Sequence, residues 1–340
     1  MAEPCIEVEA RLVEAASPGA IRIGKLILPT PSPAVPPAAN STHPRPVNMV
    51  PLPPVCADDD RPAICDLLAL HAAPLAALRT AVAADELYRP ALHDDLWLLR
   101  FWLSHKTASG GSNAGVAAAA KAARATLRYR HAHDLDGKDT RHEWPDEGSE
   151  RPAYKGFFGC VAPACLMHCL PHPDRGIVSF VVLSGLDMHA MGKLKPEDSL
   201  RGHATFTEWS YQMIDAISRR TGRLTKASRL IEMRGMRIGA IDRTYIQQDG
   251  ANSKATEDYY PQLLSAVYIC HPPSWIQVLW RLSRPFFPKR FVDKVDIISP
   301  STNPNEAARL KRHLAPKDTP ARFGGELQVW PVPLGKENVQ

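Results

Sequence analysis

"YYPQLLSAVYICHPPSWIQVLWRLSRPFFPKRFVDKVDII", residues 259–298, carries three kinds of pattern in succession. VYICHPP opens with a short run of β-branched and apolar residues, and DKVDIISP at the far end holds another, so both segments read as strands. Between them Pro272 and Pro273 suit the entry to a helix, whose first turn has no internal partner for its N–H groups, and Pro285 and Pro288 mark its end. The spacing predicts a helix from Ser274 to Phe287. A strand, a helix and a strand make the unit that sets neighbouring strands parallel.

The helix is unusually apolar. Gln277, Arg281 and Arg284 fall on one narrow stripe, Trp275, Val278, Leu279, Leu282 and Phe286 form one apolar row, and Ile276, Trp280 and Phe287 form a second. About 14 residues at ~1.5 Å each cover roughly 21 Å, too short for a bilayer core, which needs about 20 apolar residues. Two readings follow from the wide apolar arc: a helix buried on two sides, or one with protein on one side and lipid on the other.

Working outward, the alternation begins near residue 175. GIVSFVVLSGL and SRLIEMRGM read as strands, and EDSLRGHATFTEWSYQMIDAISRR reads as a long helix between them, with Trp209 and Tyr211 on its core face. The fold class is therefore α/β with a mostly parallel sheet. Ahead of it, residues 64–87 and 93–106 have helical spacing, with Asp94 or Asp95 placed to cap the second segment. A Gly/Ser break, ASGGSNAG, leads into the alanine-rich helix VAAAAKAARATLRYRHAH. The expected organisation is a disordered Pro-rich tail over 1–62, an N-terminal helical lobe over 63–140, the α/β lobe over 141–329 and a short tail over 330–340. The first of these holds 13 of the 32 prolines.

Composition narrows the function classes. The 340 residues are 44% hydrophobic, enough for a substantial core, and 41 basic against 36 acidic residues give +5, too mild to argue for nucleic acid. The start has four glutamates within fourteen residues and no apolar h-region, which argues against a secretory or transit peptide and makes the cytosol the expected compartment. Seven irregularly spaced cysteines read as thiols. Cys160, Cys165, His168, Cys169 and His172 crowd together, but their spacing matches no closed tetrahedral site, so no metal is expected. SGGSNAG lacks the Gly-Lys-Ser/Thr of a phosphate loop, and Ser112 lacks the preceding strand of a hydrolase elbow, so no catalytic role is assigned.

The order of these pieces resembles the CRAL-TRIO lipid-binding family. DDLWLLRFWLSHK is similar to its N-terminal D-x-x-L-L-R-F-L-x-x-R-K helix, residues 259–298 to its Y-P-E…Y-I-I-N-A-P-W…P-F-L…K-I run, and TPARFGGEL to its closing P-x-x-F-G-G. The likeness covers roughly 93–330. It implies a sheet flooring a deep apolar pocket that holds one lipid, closed by a mobile gate helix, with no cofactor beyond that lipid and no catalysis. The oily helix stands at the gate position. The resemblance thus implies lipid or membrane contact for Trp275, Ile276, Leu279, Trp280, Leu282, Phe286 and Phe287, with the row Ile276, Trp280 and Phe287 turned to the bilayer. Arg281, Arg284, Lys289 and Arg290 would form a basic collar for a transient anionic membrane surface.

In the phosphatidylinositol-transfer members, a basic pair, a glutamate, a threonine and a lysine hold the inositol phosphate. These carry over to His105 and Lys106, Gln262, Phe291 and Lys294. Two ammonium groups persist, but the carboxylate has become an amide and the threonine hydroxyl is gone, which leaves another phospholipid or a neutral isoprenoid-like ligand open. The implied function is binding and intermembrane transfer of a phospholipid or other hydrophobic small ligand by a peripheral, monomeric protein. A lipid-sensing scaffold that recruits partners through the Pro-rich tail is the alternative, and an α/β hydrolase comes third.

Overall fold

A computed structural model describes residues 61–107, 111–137, 139, 168–172, 176–283, 289–300, 302–311, 316 and 319–326, all of them in the unit formed by residues 48–340. The helical segment comprises α1 (Ile64–Leu70), α2 (Ala72–Ala83), α3 (Asp95–His105) and α4 (Gly111–Ala132). The stretch expected as one helix over 64–87 is broken at His71, and α1 and α2 meet at 82°. Pro74 accounts for this, because its ring would clash with the carbonyl four residues earlier in a continuous helix. Asp94 caps α3 by accepting from Trp97 N–H at 3.2 Å.

The Gly/Ser break is only partly a break, since α4 starts at Gly111. Gly115 serves packing there: a Cβ on it would lie 3.0 Å from the Trp102 ring and 3.3 Å from the His105 carbonyl, so its absence lets α4 close on α3. The expected tail also ends earlier than residue 62. Arg61 is buried and donates to Thr225 Oγ1 at 2.6 Å, and the Pro62 carbonyl accepts from Leu224 N–H at 2.9 Å. The rest of the Pro-rich tail and the 330–340 tail lie outside the described residues.

The α/β part runs β1 (His168–His172), β2 (Gly176–Val182), α5 (Met188–Gly192), α6 (Pro196–Thr221), β3 (Ala227–Glu232), α7 (Arg243–Tyr259), β4 (Leu264–Cys270), α8 (Ser274–Ser283), α9 (Lys289–Val292), β5 (Val295–Ile298) and α10 (Pro304–Lys311). The sheet order is β1-β2-β3-β4-β5, with β1 antiparallel to β2 and the remaining pairs parallel. β1 includes His168, Cys169 and His172 of the cysteine-rich segment. Because each crossover moves one strand in the same direction with the usual right hand, α6, α7 and α8 all fall on one face.

That inner face carries Arg229, Ile231, Val267, Ile269 and Val295. Ala227, Leu264 and Val267 join Trp209, Tyr211, Ile214 and Ile217 of α6 and Leu98, Phe101 and Trp102 of α3 in one core. Trp209 and Tyr211 are thus on the core face, as their spacing predicts. The outer face presents Val178, Phe180, Leu230, Ala266, Tyr268 and Cys270 to Leu310 and Phe323. The closing glycines explain themselves locally: Gly324 sits at φ +81°, and a Cβ on Gly325 would fall 1.9 Å from the Thr319 carbonyl oxygen. This tight turn lays Phe323 on Phe180 at 5.3 Å between ring centroids.

A buried ion pair ties the two parts together. Arg130 of α4 grips Glu208 of α6 through both terminal nitrogens at 2.8 and 2.9 Å, and its Nε donates to Asp136. Such a fork is the geometry in which a desolvated pair holds.

Candidate functional site

The N-terminal ends of β3, β4 and β5 gather the residues singled out as a head-group site. Lys106 follows the last turn of α3 and is exposed, and His105 donates from Nδ1 to the Phe101 carbonyl at 2.9 Å. Gln262, half-buried and at φ +61°, donates from Nε2 to Ser104 Oγ at 3.0 Å, which fastens the approach to β4 onto the end of α3. Phe291 is half-buried against the main core, and its carbonyl accepts from Lys294 N–H at 2.9 Å. Lys294 Nζ pairs with Glu257 Oε1 at 3.0 Å. The residue that replaces the family's threonine is therefore a packing residue here, and the surviving lysine has a carboxylate partner within the protein.

Lys226, immediately before β3, belongs to the same cluster and was missed from sequence. Burial first, then the charges of Lys294, Arg100 and Lys106, push its ammonium down from 10.5 to about 8. Three lysines from three separate elements thus share one end of the sheet. Glu257, in the last turn of α7, supplies the carboxylate that Gln262 does not. The only signal for either was position: Lys226 precedes a strand, as Lys294 does, and nothing in the local pattern of TKASRLIE marks its side chain as inward.

At the opposite end of the strands, α8 begins after His271, which sits at φ +50°. His271 Nδ1 lies 3.0 Å from Glu232 Oε2, and Glu232 Oε1 accepts from Arg234 N–H at 2.7 Å, so the entry to α8 is fastened to the end of β3 inside the protein. Ile276 is buried among Met188, Met233 and Met236, with Trp275, Ile231 and Ile269 packed against that cluster. Val278 is 57% exposed, Trp280 is half-buried, and Gln277 and Arg281 are exposed. This corrects the expected rows. Ile276, assigned to the bilayer side, faces protein, and Val278, on the other apolar row, faces out. The reason is local, since the methionines of α5 and of the segment that follows β3 fill the side of α8 that carries Ile276.

For Leu279, Leu282, Lys289 and Arg290 only the backbone is described, and Arg284, Phe286 and Phe287 lie outside the described residues. So do Cys160 and Cys165. Of the described cysteines with side chains, Cys65 is exposed and Cys270 is buried, and both are free thiols. Burial, with Glu232 nearby, pushes the Cys270 thiol well up, which makes it inert. Among the described residues no single helix is long and apolar enough to cross a membrane. The bent pair of α1 and α2 buries Leu75, Leu78 and Val82 in the main core.

These features define an α/β fold with a mostly parallel sheet covered by helices on its inner face. Residues 175–325, somewhat under half of the chain, match the CRAL/TRIO domain family. Members of that family bind and transfer lipids. The chain is similar to the CRAL-TRIO domain-containing protein C34C12.6 of Caenorhabditis elegans, at 28% identity over 85 residues, 25% of this chain and 20% of that protein. It is also similar to the SEC14 cytosolic factor of Candida glabrata, at 23% identity over 164 residues, 46% of this chain and 51% of that one. The matched segments therefore span between about a fifth and about half of these relatives. Among solved structures, the crystal structure of Sfh5 aligns with 79% of this chain and 89% of its own at TM-score 0.47 and 11% identity.

Proposed function

We propose that this protein binds one lipid between the inner face of its sheet and helices α6 to α8, and carries it between membranes without catalysis. The observation that supports this best is the convergence of Lys106, Lys226 and Lys294 at one end of an apolar sheet face whose other end is roofed by an amphipathic helix. The lysines neutralise a phosphate as point charges, and the apolar face shields the chains at about 0.8 kcal/mol per CH₂. Hydrophobic burial then supplies most of the affinity and the cations select the head. Glu257 beside Lys294 offers an acceptor for head-group hydroxyls, so a polyol head regains a partner that Gln262 withholds.

In this reading α8 is the gate. Val278 and Trp280 meet the bilayer during exchange, Ile276 anchors the helix to the methionine cluster, and Arg281 with the basic residues that follow draws the mouth to an anionic surface. The protein would act as a cytosolic monomer that meets membranes transiently. Mass spectrometry of the full-length protein, isolated without detergent, tests the core of the proposal: about one lipid per chain is expected. Absence of any stoichiometric lipid, together with failure to move labelled phospholipid between vesicles, would overturn it.

A further inference from the structure

Halfway along β3, on the inner face, stands a cation that the phospholipid reading does not use. Arg229 is half-buried, with its guanidinium 5.8 Å from the centre of the Phe206 ring of α6. Its Nε is fully buried and has no hydrogen-bond partner among the described residues, and no carboxylate there lies in ion-pair range of it. The groups facing it come from the two helices that cover the sheet, His203 of α6 and Asp249 of α7. His203 is engaged with Thr256, Nε2 to Oγ1 at 2.8 Å, and burial and then the charge of Arg229 hold it neutral, its pKa down at about 3.

Asp249 does not complete an ion pair. Burial pushes its carboxyl above the ordinary carboxylate range against the opposing pull of Arg229, although the side chain has accessible surface. A guanidinium with a buried Nε and no bonded counter-ion is costly, because a desolvated charge needs both a partner and hydrogen bonds. Its rigid fork of donors fits a carboxylate with two parallel bonds. Lys226 lies three residues away, roughly 10 Å at about 3.3 Å per strand residue, so this is a separate anchor from the lysine cluster.

We propose that Arg229 is the binding residue for a carboxylate-bearing lipid, a fatty acid or other amphiphilic acid taken into the pocket with its acid group inward. The proposal rests on the lipid-binding reading and extends it to a second ligand class. The acid group would replace the missing counter-ion of Arg229, the Phe206 ring would back the guanidinium, and Ile231 and Ile269 would line the path of the chain.

The test uses the full chain loaded with a fluorescent long-chain probe and displaced by oleate, by oleyl alcohol and by methyl oleate, which share one tail. Oleate is expected to displace the probe at least tenfold more effectively than either neutral ligand. Arg229→Gln should remove that preference while leaving oleyl alcohol unchanged, Arg229→Lys should restore part of it, and Lys226→Gln should leave it intact. Unchanged displacement by oleyl alcohol also reports that each variant is folded. Loss of the oleate preference in Lys226→Gln but not in Arg229→Gln would move the acid to the lysine cluster and overturn the proposal, as would equal displacement by all three ligands in the wild type. If none of the three displaces the probe while phospholipids do, the carboxylate proposal falls and the phospholipid reading stands. If no lipid of any class binds, both fall.

Discussion

Replacing Lys226 by Gln probes the head-group site with the least structural confusion. Unlike Lys294, which neutralises Glu257, Lys226 has no bonded carboxylate among the described residues. Its folded-state pKa is depressed, so its charged form weakens the ligand-free fold below pH about 8, and that penalty fades as pH rises toward the ordinary 10.5. The Gln variant should therefore be at least as stable as wild type at pH 7. A charge-assisted hydrogen bond to phosphate contributes about 1.5–3 kcal/mol, or roughly 10- to 100-fold in affinity. Phosphatidylglycerol and diacylglycerol with matched tails separate the charge from the chains, because only the former carries phosphate and its charge is constant above neutrality. Equilibrium displacement should show the loss for phosphatidylglycerol alone. A bound phosphate raises the ammonium's pKa, so its contribution is fully present below about 8 and falls as pH rises through the bound-state value. Wild-type affinity for phosphatidylglycerol should decline between pH 8 and pH 10, and the variant should show a flatter profile. Equal losses for both lipids, or an unaltered pH profile in the variant, would show that Lys226 does not touch the head.

Arg130→Met leaves Glu208 buried without its partner and should cost about 3–5 kcal/mol in urea unfolding, while Arg130→Met with Glu208→Met should recover much of that loss. Ile276→Ala should cost about 2–5 kcal/mol through the cavity left in the methionine cluster. Val278→Ser, on the exposed side of the same helix, should change stability little but slow lipid exchange between vesicles, and a lowered melting temperature for Val278→Ser would count against its assigned face. Trp280→Ser combined with Phe287→Ser should slow exchange in the same way. Wild-type exchange should fall with added salt on anionic vesicles and hardly change on neutral ones, since basic residues near an anionic surface contribute about 1 kcal/mol each and are screened.

The strands and the long helix were legible because their periodicities are long and bounded by prolines and glycines. Trp209 and Tyr211 fell on the core face for that reason. The break at His71 was harder to see, since Pro74 is tolerated near a helix start and interrupts one only when residues before it are also helical. Gly115 misled for the opposite reason: a glycine that ends one helix and a glycine that admits a neighbouring ring look alike in sequence. Of the proposed head-group site, only the residues that a motif numbered could be named in advance. Lys106, Gln262 and Lys294 were reachable that way, whereas Lys226, Glu257 and Arg229 depend on how three crossovers bring distant segments to one sheet face, which no local pattern encodes. The side of α8 that faces protein was likewise decided by methionines from α5 and from the segment that follows β3, outside the helix itself.

The core shared by α3, α4 and the sheet separates what is inherited from what can fold. The matched domain begins at residue 175, yet Leu98, Trp102 and Leu127 pack with Ile214 and Val267 in one cluster. Arg100, fully buried, spans the seam to Ser218 Oγ at 3.1 Å and the Thr225 carbonyl at 3.3 Å. A gene fragment cut at the recognisable boundary would leave α6 with a bare apolar flank and two polar groups stripped of their donor. A fragment that keeps this core and the Arg61–Thr225 bond therefore has to include Arg61, more than a hundred residues upstream of the segment that sequence comparison marks out.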